Sequence, residues 1–426
     1  METNSKPHVL VLGGNFAGLT AARFIRDACG DDIRMTVVDK KSFLLFIPNI
    51  PLGVFKNEEL YESLHMPILD TLEDHDIDFI QGEVKEIDIE SKRITYCPVE
   101  RPGAALENIN YDYLVLALGS QLAYDKIKGF GKYGQTVSDT YYGTRLQKYL
   151  FDGGYKGGPI AVGSDLFHQG LQGKPDWLPV TQAACEGPPL EVSLSMATWL
   201  KDHDLGGPDK ITMFTPGEMI AEDAGEKIVN EFLGMAKEMG FHYMNNTQAI
   251  QEITADGIQF SNGKSLEAEL KILMPDWVPL GFLKELPITD EVGFVLTDDR
   301  MRNEQYPEIF AVGDCAALTV PKLGSLGHQQ AEIVGKQIAK DLGLIKADEA
   351  DKSFKPEIIC FGDMGDNKGF YIHSNQWYGG DTSVFKMGFT YYAMKVAFKE
   401  LYYETGGKPP GWGIPLTEII ADHLTP

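Results

Sequence analysis

Val9-Leu10-Val11-Leu12-Gly13-Gly14-Asn15-Phe16-Ala17-Gly18 opens the first ordered unit of the chain. The apolar run Val9 to Leu12 has the character of a buried strand, and the glycine turn leads straight into a helical stretch, Leu19 to Ala28. A second apolar run, Met35-Thr36-Val37-Val38, ends at Asp39. Strand, glycine turn, helix, strand and acid, in that order, describe a dinucleotide-binding unit. Such a turn brings bare backbone N–H groups and a helix N-terminus to a pyrophosphate. Gly13 permits the tight turn, and Gly18 permits close packing of helix on strand. Asp39, 26 positions after Gly13, is placed to accept hydrogen bonds from a ribose hydroxyl. Asn15 stands where the usual pattern has its middle glycine. Asparagine tolerates positive φ, so the turn is expected to survive.

Further along, Ile77 to Tyr96 alternates like antiparallel strands, and Tyr111 to Ala117 has the pattern of a buried strand ending at Gly119. A second unit follows the loop Asp152 to Pro159. Its strands are expected at Ile160-Ala161-Val162 and Ile211 to Phe214, with a helix from Leu190 to Leu200 between them. More strands are expected from Gln248 to Leu273, with a turn at Ser261-Asn262-Gly263-Lys264. The chain returns to the first unit at Ile309 to Asp314, followed by a helix from about Gly327 to Leu342. The polar linker Ile345 to Lys355 leads into a C-terminal module. The expected fold class is α/β: two tandem Rossmann-like dinucleotide-binding domains plus a C-terminal membrane-associating module. The expected divisions are residues 1–150 for the first part of one domain, 151–280 for the second domain, 281–345 for the return to the first, and 346–426 for the C-terminal module.

Composition narrows the class. The chain has 426 residues, enough for two or three domains, and a 43% hydrophobic share fits an ordinary globular protein. A formal net charge of −24 argues against nucleic acid and against electrostatic docking on anionic lipid. The cysteines Cys29, Cys97, Cys185, Cys315 and Cys360 are too few for a disulfide framework and lack zinc spacing, so no metal site is expected. No signal peptide is expected ahead of the strand near His8, and no apolar run of about 18 residues interrupts the sequence. With no span and no export signal expected, any membrane contact would be peripheral and on the cytoplasmic face.

The segments Leu116-Ala117-Leu118-Gly119-Ser120 and Ile309-Phe310-Ala311-Val312-Gly313-Asp314 resemble two motifs of the flavoprotein disulfide reductases. This resemblance implies FAD. Gly119 would lie near the cofactor and Asp314 would bind its ribityl chain, together with Gly13, Asn15, Gly18, Asp39 and Gly313. The helix after Pro321-Lys322-Leu323-Gly324 would aim its positive end at the flavin pyrimidine. In the second unit the corresponding turn is Gly163-Ser164-Asp165-Leu166-Phe167-His168-Gln169-Gly170. It lacks the Gly-x-Gly core, Asp165 would repel a pyrophosphate, and the insertion Leu166 to Gln182 would fill the dinucleotide's place. That unit is expected to keep the fold without binding NADH.

Three further runs resemble the sulfide:quinone oxidoreductase family and its relative flavocytochrome c sulfide dehydrogenase: Cys185-Glu186-Gly187-Pro188, Cys360-Phe361-Gly362-Asp363-Met364-Gly365-Asp366, and Ala393-Met394-Lys395-Val396-Ala397-Phe398. The resemblance implies that Cys185 and Cys360 form a redox relay beside the flavin. Sulfide would attack the disulfide, or a sulfur-bridged pair, leaving a persulfide on one sulfur and a thiolate on the other. A depressed thiol pKa would assist, since the thiolate is the nucleophile. Glu191 would shuttle protons. Ser138 stands at the place of the family's third cysteine, so FAD is expected to be non-covalent.

The same resemblance places a membrane quinone between Phe361 and Phe398 and puts Lys395 at the flavin's N1/C2 edge. Tyr391, Met394, Phe398 and Leu401 recur at helical spacing, and Trp377, Trp412 and the amphipathic stretch Ile414 to Leu424 add apolar surface suited to a bilayer. The stripe is also compatible with a helix docked on the core or a contact in a homo-oligomer. The rival functions are a type II NADH:quinone oxidoreductase, a sulfide dehydrogenase passing electrons to a cytochrome, and a flavin-binding interaction protein whose relay is dead.

Overall fold

The computed structural model describes residues 6–99, 101, 103–172 and 176–408. Trp412 and the stretch Ile414 to Leu424 lie outside the described residues. Among the described residues, seven strands form the first sheet, in the spatial order Ile309–Ala311, Tyr113–Leu116, His8–Leu12, Arg34–Asp39, Asp78–Asp88, Arg93–Pro98 and Glu107–Asn110. The first five run parallel and the last two pair antiparallel. A parallel sheet is covered on both faces, which explains why Val9 to Leu12 and Leu114 to Leu116 are unbroken apolar runs with no exposed surface.

The helices Phe16–Cys29 and Gly324–Asp341 pack against each other through small residues. A Cβ on Gly335 would come within 2.9 Å of the Phe24 carbonyl, and one on Gly327 within 3.1 Å of Ala17. That close approach sets the start of the second helix beside the start of the first. The helices begin and end within a few residues of the expected bounds.

The second sheet is parallel throughout, in the order Gly134–Gln135, Leu270–Met274, Ile160–Ser164, Ile211–Phe214, His242–Met244. Gly134–Gln135 forms its edge, so the crossover into this sheet begins ahead of residue 151, where the sequence placed the division. Gln121–Leu122 and Trp277–Val278 pair antiparallel as the two crossing strands. The helices Thr140–Phe151 and Glu226–Met239 were not anticipated from the sequence.

After the linker comes an antiparallel sheet of Ile358–Gly365, Lys368–Ser374 and Ser383–Gly388, followed by the helix Phe389–Glu404. The sheet also went unanticipated, although its first hairpin carries a turn signal. Asp366 and Asn367 have φ of 51° and 57°, the left-handed pair that a tight hairpin requires. This sheet is fastened to the helix Gly187–Asp202. Ser195 Oγ donates to the Asp363 carbonyl at 3.2 Å and to Asp363 Oδ2 at 2.9 Å, and Thr198 Oγ1 donates to the Met364 carbonyl at 2.8 Å. A Cβ on Gly365 would sit 2.4 Å from the Thr198 Cβ, so only glycine allows the contact.

Candidate active site

The glycine cradle forms at the C-terminal end of the first sheet. Gly13 has φ of +106°, and a Cβ there would lie 2.2 Å from the Ala117 carbonyl oxygen. A Cβ on Gly18 would lie 2.0 Å from the Gly13 oxygen. Asn15 does not use positive φ: it is extended, at φ −88° and ψ −163°, and its Oδ1 accepts from the Leu45 amide at 3.1 Å. Asn15 thus departs from the sequence expectation. The left-handed conformation is needed at Gly13, and asparagine serves as a bracket to the next strand. Asp39 Oδ2 accepts from the Gly14 amide at 2.6 Å, and its Oδ1 accepts from the Lys41 amide at 2.8 Å. Those bonds fix the carboxylate at the edge of the turn.

Gly119 has φ of +69°, and a Cβ there would meet nothing within 4 Å. Beside it the Ser120 hydroxyl is buried without a hydrogen-bond partner. Gly313, also at φ +69°, faces Ala17 at the start of the first helix, where an added Cβ would approach within 2.7 Å. Burial holds the next carboxyl, Asp314, above its usual range, against the pull of Lys322. Burial lowers the Lys322 pKa in turn, and Asp314 opposes that shift. Its ammonium lies 4.6 Å from the Phe294 ring and 5.4 Å from that of Phe167. Motifs some 300 residues apart in sequence thus converge on one helix start (Gly13 and Gly313). A glycine cradle, an orphaned hydroxyl, a fixed acid and two helix N-termini fit a flavin dinucleotide. Lys322 was assigned no role from sequence, although its neighbours were singled out.

In the second unit the strand Ile160–Ser164 leads to its helix only at Gly187. Asp165 turns inward. Its Oδ1 accepts from the Ile250 amide at 2.7 Å and from the Leu166 amide at 2.8 Å. Burial nevertheless raises its pKa to about 6. The loop that follows folds back on itself, with Leu166 bridged to Ala183. His168 is anchored there: its Nδ1 lies 2.8 Å from the buried Asp276, which also takes Lys126 Nζ at 2.7 Å.

This loop delivers Cys185 to the start of the helix Gly187–Asp202. The Ser164 hydroxyl donates to the Cys185 carbonyl. Cys360 comes from the strand Ile358–Gly365, paired with Ile372. A Cβ on Gly187 would be 3.4 Å from Cys360 Sγ, so Cys360 lies against the helix start two residues from Cys185, and its charge is among those that raise the Cys185 thiol. Both are free thiols and partly exposed. Their pKa values run opposite to expectation. Burial first, then Glu186 and Asp223, push the Cys185 thiol upward. Burial and Glu191 push Cys360 up to about 12, against Lys395. The helix dipole does not reverse this, because Pro188 and Pro189 remove two of the first-turn N–H donors. The remaining cysteines are structural where they are buried; Cys315 Sγ donates to the Leu116 carbonyl at 3.1 Å.

Glu191, one turn into the same helix, is buried and paired with the Lys395 ammonium. Burial raises its pKa, and Lys395 counters. Lys395 also donates to the Phe361 carbonyl at 3.3 Å. Its charge is therefore committed to Glu191 and the Phe361 carbonyl, whereas Lys322 is the cation beside Asp314. Phe361 packs on Tyr371 at 4.9 Å between ring centroids. Phe398, three residues after Lys395 on the Phe389–Glu404 helix, packs on Phe46 at 6.2 Å and Tyr402 at 5.9 Å. Phe361 is joined to Lys395 through its carbonyl, and Phe398 lies one turn past Lys395 on the same helix. On the outer side of this module Phe389 is 68% exposed, with Met387 and Val396 near it in sequence also exposed. No described helix is long and apolar enough to cross a membrane.

A sequence profile of the family described as "Pyridine nucleotide-disulphide oxidoreductase" matches residues 7–150. The chain is 23% identical to the sulfide-quinone reductase of Aquifex aeolicus (strain VF5), covering 93% of this chain and 90% of that protein. The crystal structure of the sulfide:quinone oxidoreductase from Aquifex aeolicus superposes with a TM-score of 0.80 at 21% identity, covering 97% of this chain and 95% of that one. NDH2 from Plasmodium falciparum in complex with NADH superposes with a TM-score of 0.68 at 13% identity, covering 97% and 98%. The fold is thus that of the pyridine nucleotide-disulphide oxidoreductases, and the resemblance to sulfide-quinone reductases extends over nearly the whole chain.

Proposed function

We propose that this chain is a sulfide:quinone oxidoreductase holding FAD without a covalent bond. It oxidises sulfide to zero-valent sulfur at Cys185 and Cys360 and reduces a quinone at the membrane surface. One observation carries this reading: Cys360 Sγ lies against Gly187, two residues from Cys185, at the place where the second unit would otherwise cradle a dinucleotide. In the oxidised pair, hydrosulfide forms a bond to one sulfur as the bond between the cysteines breaks, leaving a persulfide there and a thiolate on the other. Re-forming the cysteine pair as zero-valent sulfur departs releases two electrons. A bound FAD, held by Gly13, Asn15, Gly18, Asp39, Gly119, Gly313 and Asp314, supplies acceptance of that electron pair and its return to quinone.

The remaining residues position and move protons. Lys395 favours the thiolate of Cys360, since it alone among the main influences on that thiol lowers its pKa. Glu191 holds Lys395 in place and is the proton carrier for a quinone ring held between Phe361 and Phe398. Phe389, Met387 and Val396 rest in the headgroup layer, which suits an acidic chain whose membrane contact must be apolar. NADH is not the donor in this reading, because Asp165 and the folded-back loop occupy the second glycine turn.

Anaerobic mixing tests the proposal. Sulfide should bleach the flavin absorbance of the wild-type protein and NADH should not. Cys185→Ser and Cys360→Ser should each keep FAD and lose sulfide bleaching by about 100-fold or more. Full turnover by both variants, or bleaching by NADH alone, would overturn it.

A further inference from the structure

Three carboxyl groups stand behind Cys185 and take no part in the roles above. Glu186 follows Cys185 directly, and Glu222 and Asp223 come from the short turn Glu222–Ala224. Their relative exposures are 1%, 5% and 3%. Neither carboxyl oxygen of Glu186 closes a hydrogen bond, although the amides of Ala221 and Glu222 lie near enough to favour its charge. The Gln182 amide donates to Glu222 Oε1 at 2.7 Å. Ala221, just before the pair, holds φ of +53°, a left-handed conformation that is strained for a non-glycine residue. Tyr243 and Tyr378 face the group from the second sheet and the C-terminal module, and Glu218 lies near Glu222. Among the described residues, no cation offsets Glu222 or Asp223. Asp223 acts on both sulfurs, raising the pKa of Cys185 and of Cys360.

We propose that Glu186, Glu222 and Asp223 form the proton acceptor for sulfide at Cys185, and that the site admits sulfide as neutral hydrogen sulfide in preference to the hydrosulfide anion. The proposal rests on the sulfide reading given above. An anion approaching three carboxyls inside the protein meets their repulsion at low dielectric, and neutral hydrogen sulfide does not. At the site an S–H bond breaks and a carboxyl O–H bond forms, leaving hydrosulfide beside the cysteines; no electron moves in this step. Burial holds all three carboxyls above their usual range, aided by repulsion from Asp223 and Glu222 at Glu186, from Glu222 at Asp223, and from Glu218 at Glu222. Like charges this close release their protons in separated steps, so at neutral pH part of the group is ionised and accepts a proton of similar acidity.

The test uses the FAD-loaded enzyme at fixed total sulfide, with bleaching rates followed through the neutral pH range. The rate should peak near neutrality, falling on the acidic side as the carboxyls become protonated and falling about tenfold per pH unit on the alkaline side once hydrosulfide predominates. Glu222→Gln and Asp223→Asn should each slow bleaching by about 100-fold with flavin content unchanged, and Asp223→Glu should restore most of the rate. Infrared spectra of the wild-type protein should show a protonated-carboxyl band that titrates near neutrality. A rate that tracks the hydrosulfide fraction, variants at the wild-type rate, or no such band would overturn the proposal while leaving the sulfide reading intact. Failure of sulfide to bleach the flavin at any pH would sink that reading as well.

Discussion

The chain contains two strand–turn–helix units that begin alike and end differently. In the first, the strand His8–Leu12 passes through Gly13 into a helix starting at Phe16. In its turn the Gly13 and Gly14 amides donate to the Val38 carbonyl and to Asp39, and the space over Gly119 is open. In the second, 22 residues (165 to 186) separate the strand ending at Ser164 from the helix starting at Gly187. The Asp165 carboxylate accepts from the Leu166 amide beside it and from the distant Ile250 amide, and two prolines remove first-turn donors from the helix. The same architecture passes directly through a tight glycine turn in one place and, in the other, through a long loop that mounts a cysteine at the helix start. The fold is shared with proteins that bind NADH, so local turn chemistry distinguishes the functions.

The sharpest way to break this contrast is Gly13→Val. The residue would need positive φ, with its Cβ 2.2 Å from a backbone oxygen, and no neighbouring side chain can yield. The expected outcome is complete loss of bound flavin, read from the absorbance of the purified protein, with a lowered melting temperature. A variant that retains a full complement of FAD would show that the first turn is not the cradle.

The matching change in the second turn, Gly163→Ala, should act differently. An added Cβ would lie 2.3 Å from the Phe214 carbonyl oxygen, inside a strand pair, so stability should fall by about 3 kcal/mol. Flavin content should stay at the wild-type level, because nothing at this position serves the cofactor. Denaturant unfolding and flavin absorbance measured together check both halves. Loss of flavin from the folded Gly163→Ala protein would erase the distinction between the units.

The first unit was legible from sequence because its chemistry is local: glycines, apolar strand and acid lie within one short segment. The parallel strands were legible for the same reason, being continuous apolar runs. Cys185 and Cys360 were legible as a pair only through a family resemblance. Their meeting depends on Ser195, Thr198 and Gly365 fastening a sheet to a helix far away in the chain. The acids around them escaped notice because Glu222 and Asp223 look like ordinary turn residues until burial is known. The thiol pKa values depart from the expectation for that reason: burial first, then neighbouring buried carboxyls, push both thiols upward. Lys322 was passed over because its partners, Asp314 and the Phe167 and Phe294 rings, converge only in the fold.

The mildest substitution probes the charge that closes the second turn. Burial raises the Asp165 pKa from 3.8 to about 6, so the folded state binds its proton more tightly than the unfolded chain does. The stability associated with that proton is complete below the ordinary carboxyl range and is lost as pH rises to about 6. An asparagine at this position cannot titrate, yet its side-chain oxygen can still accept from Leu166 and Ile250. Asp165→Asn should therefore gain about 3 kcal/mol relative to wild type between acidic and neutral pH, with flavin content unaffected. Other groups titrate in both proteins and cancel in the difference. Parallel stability curves across that range would mean that the inward carboxylate is already fully compensated by its two amides. The second turn would then be closed at no electrostatic cost.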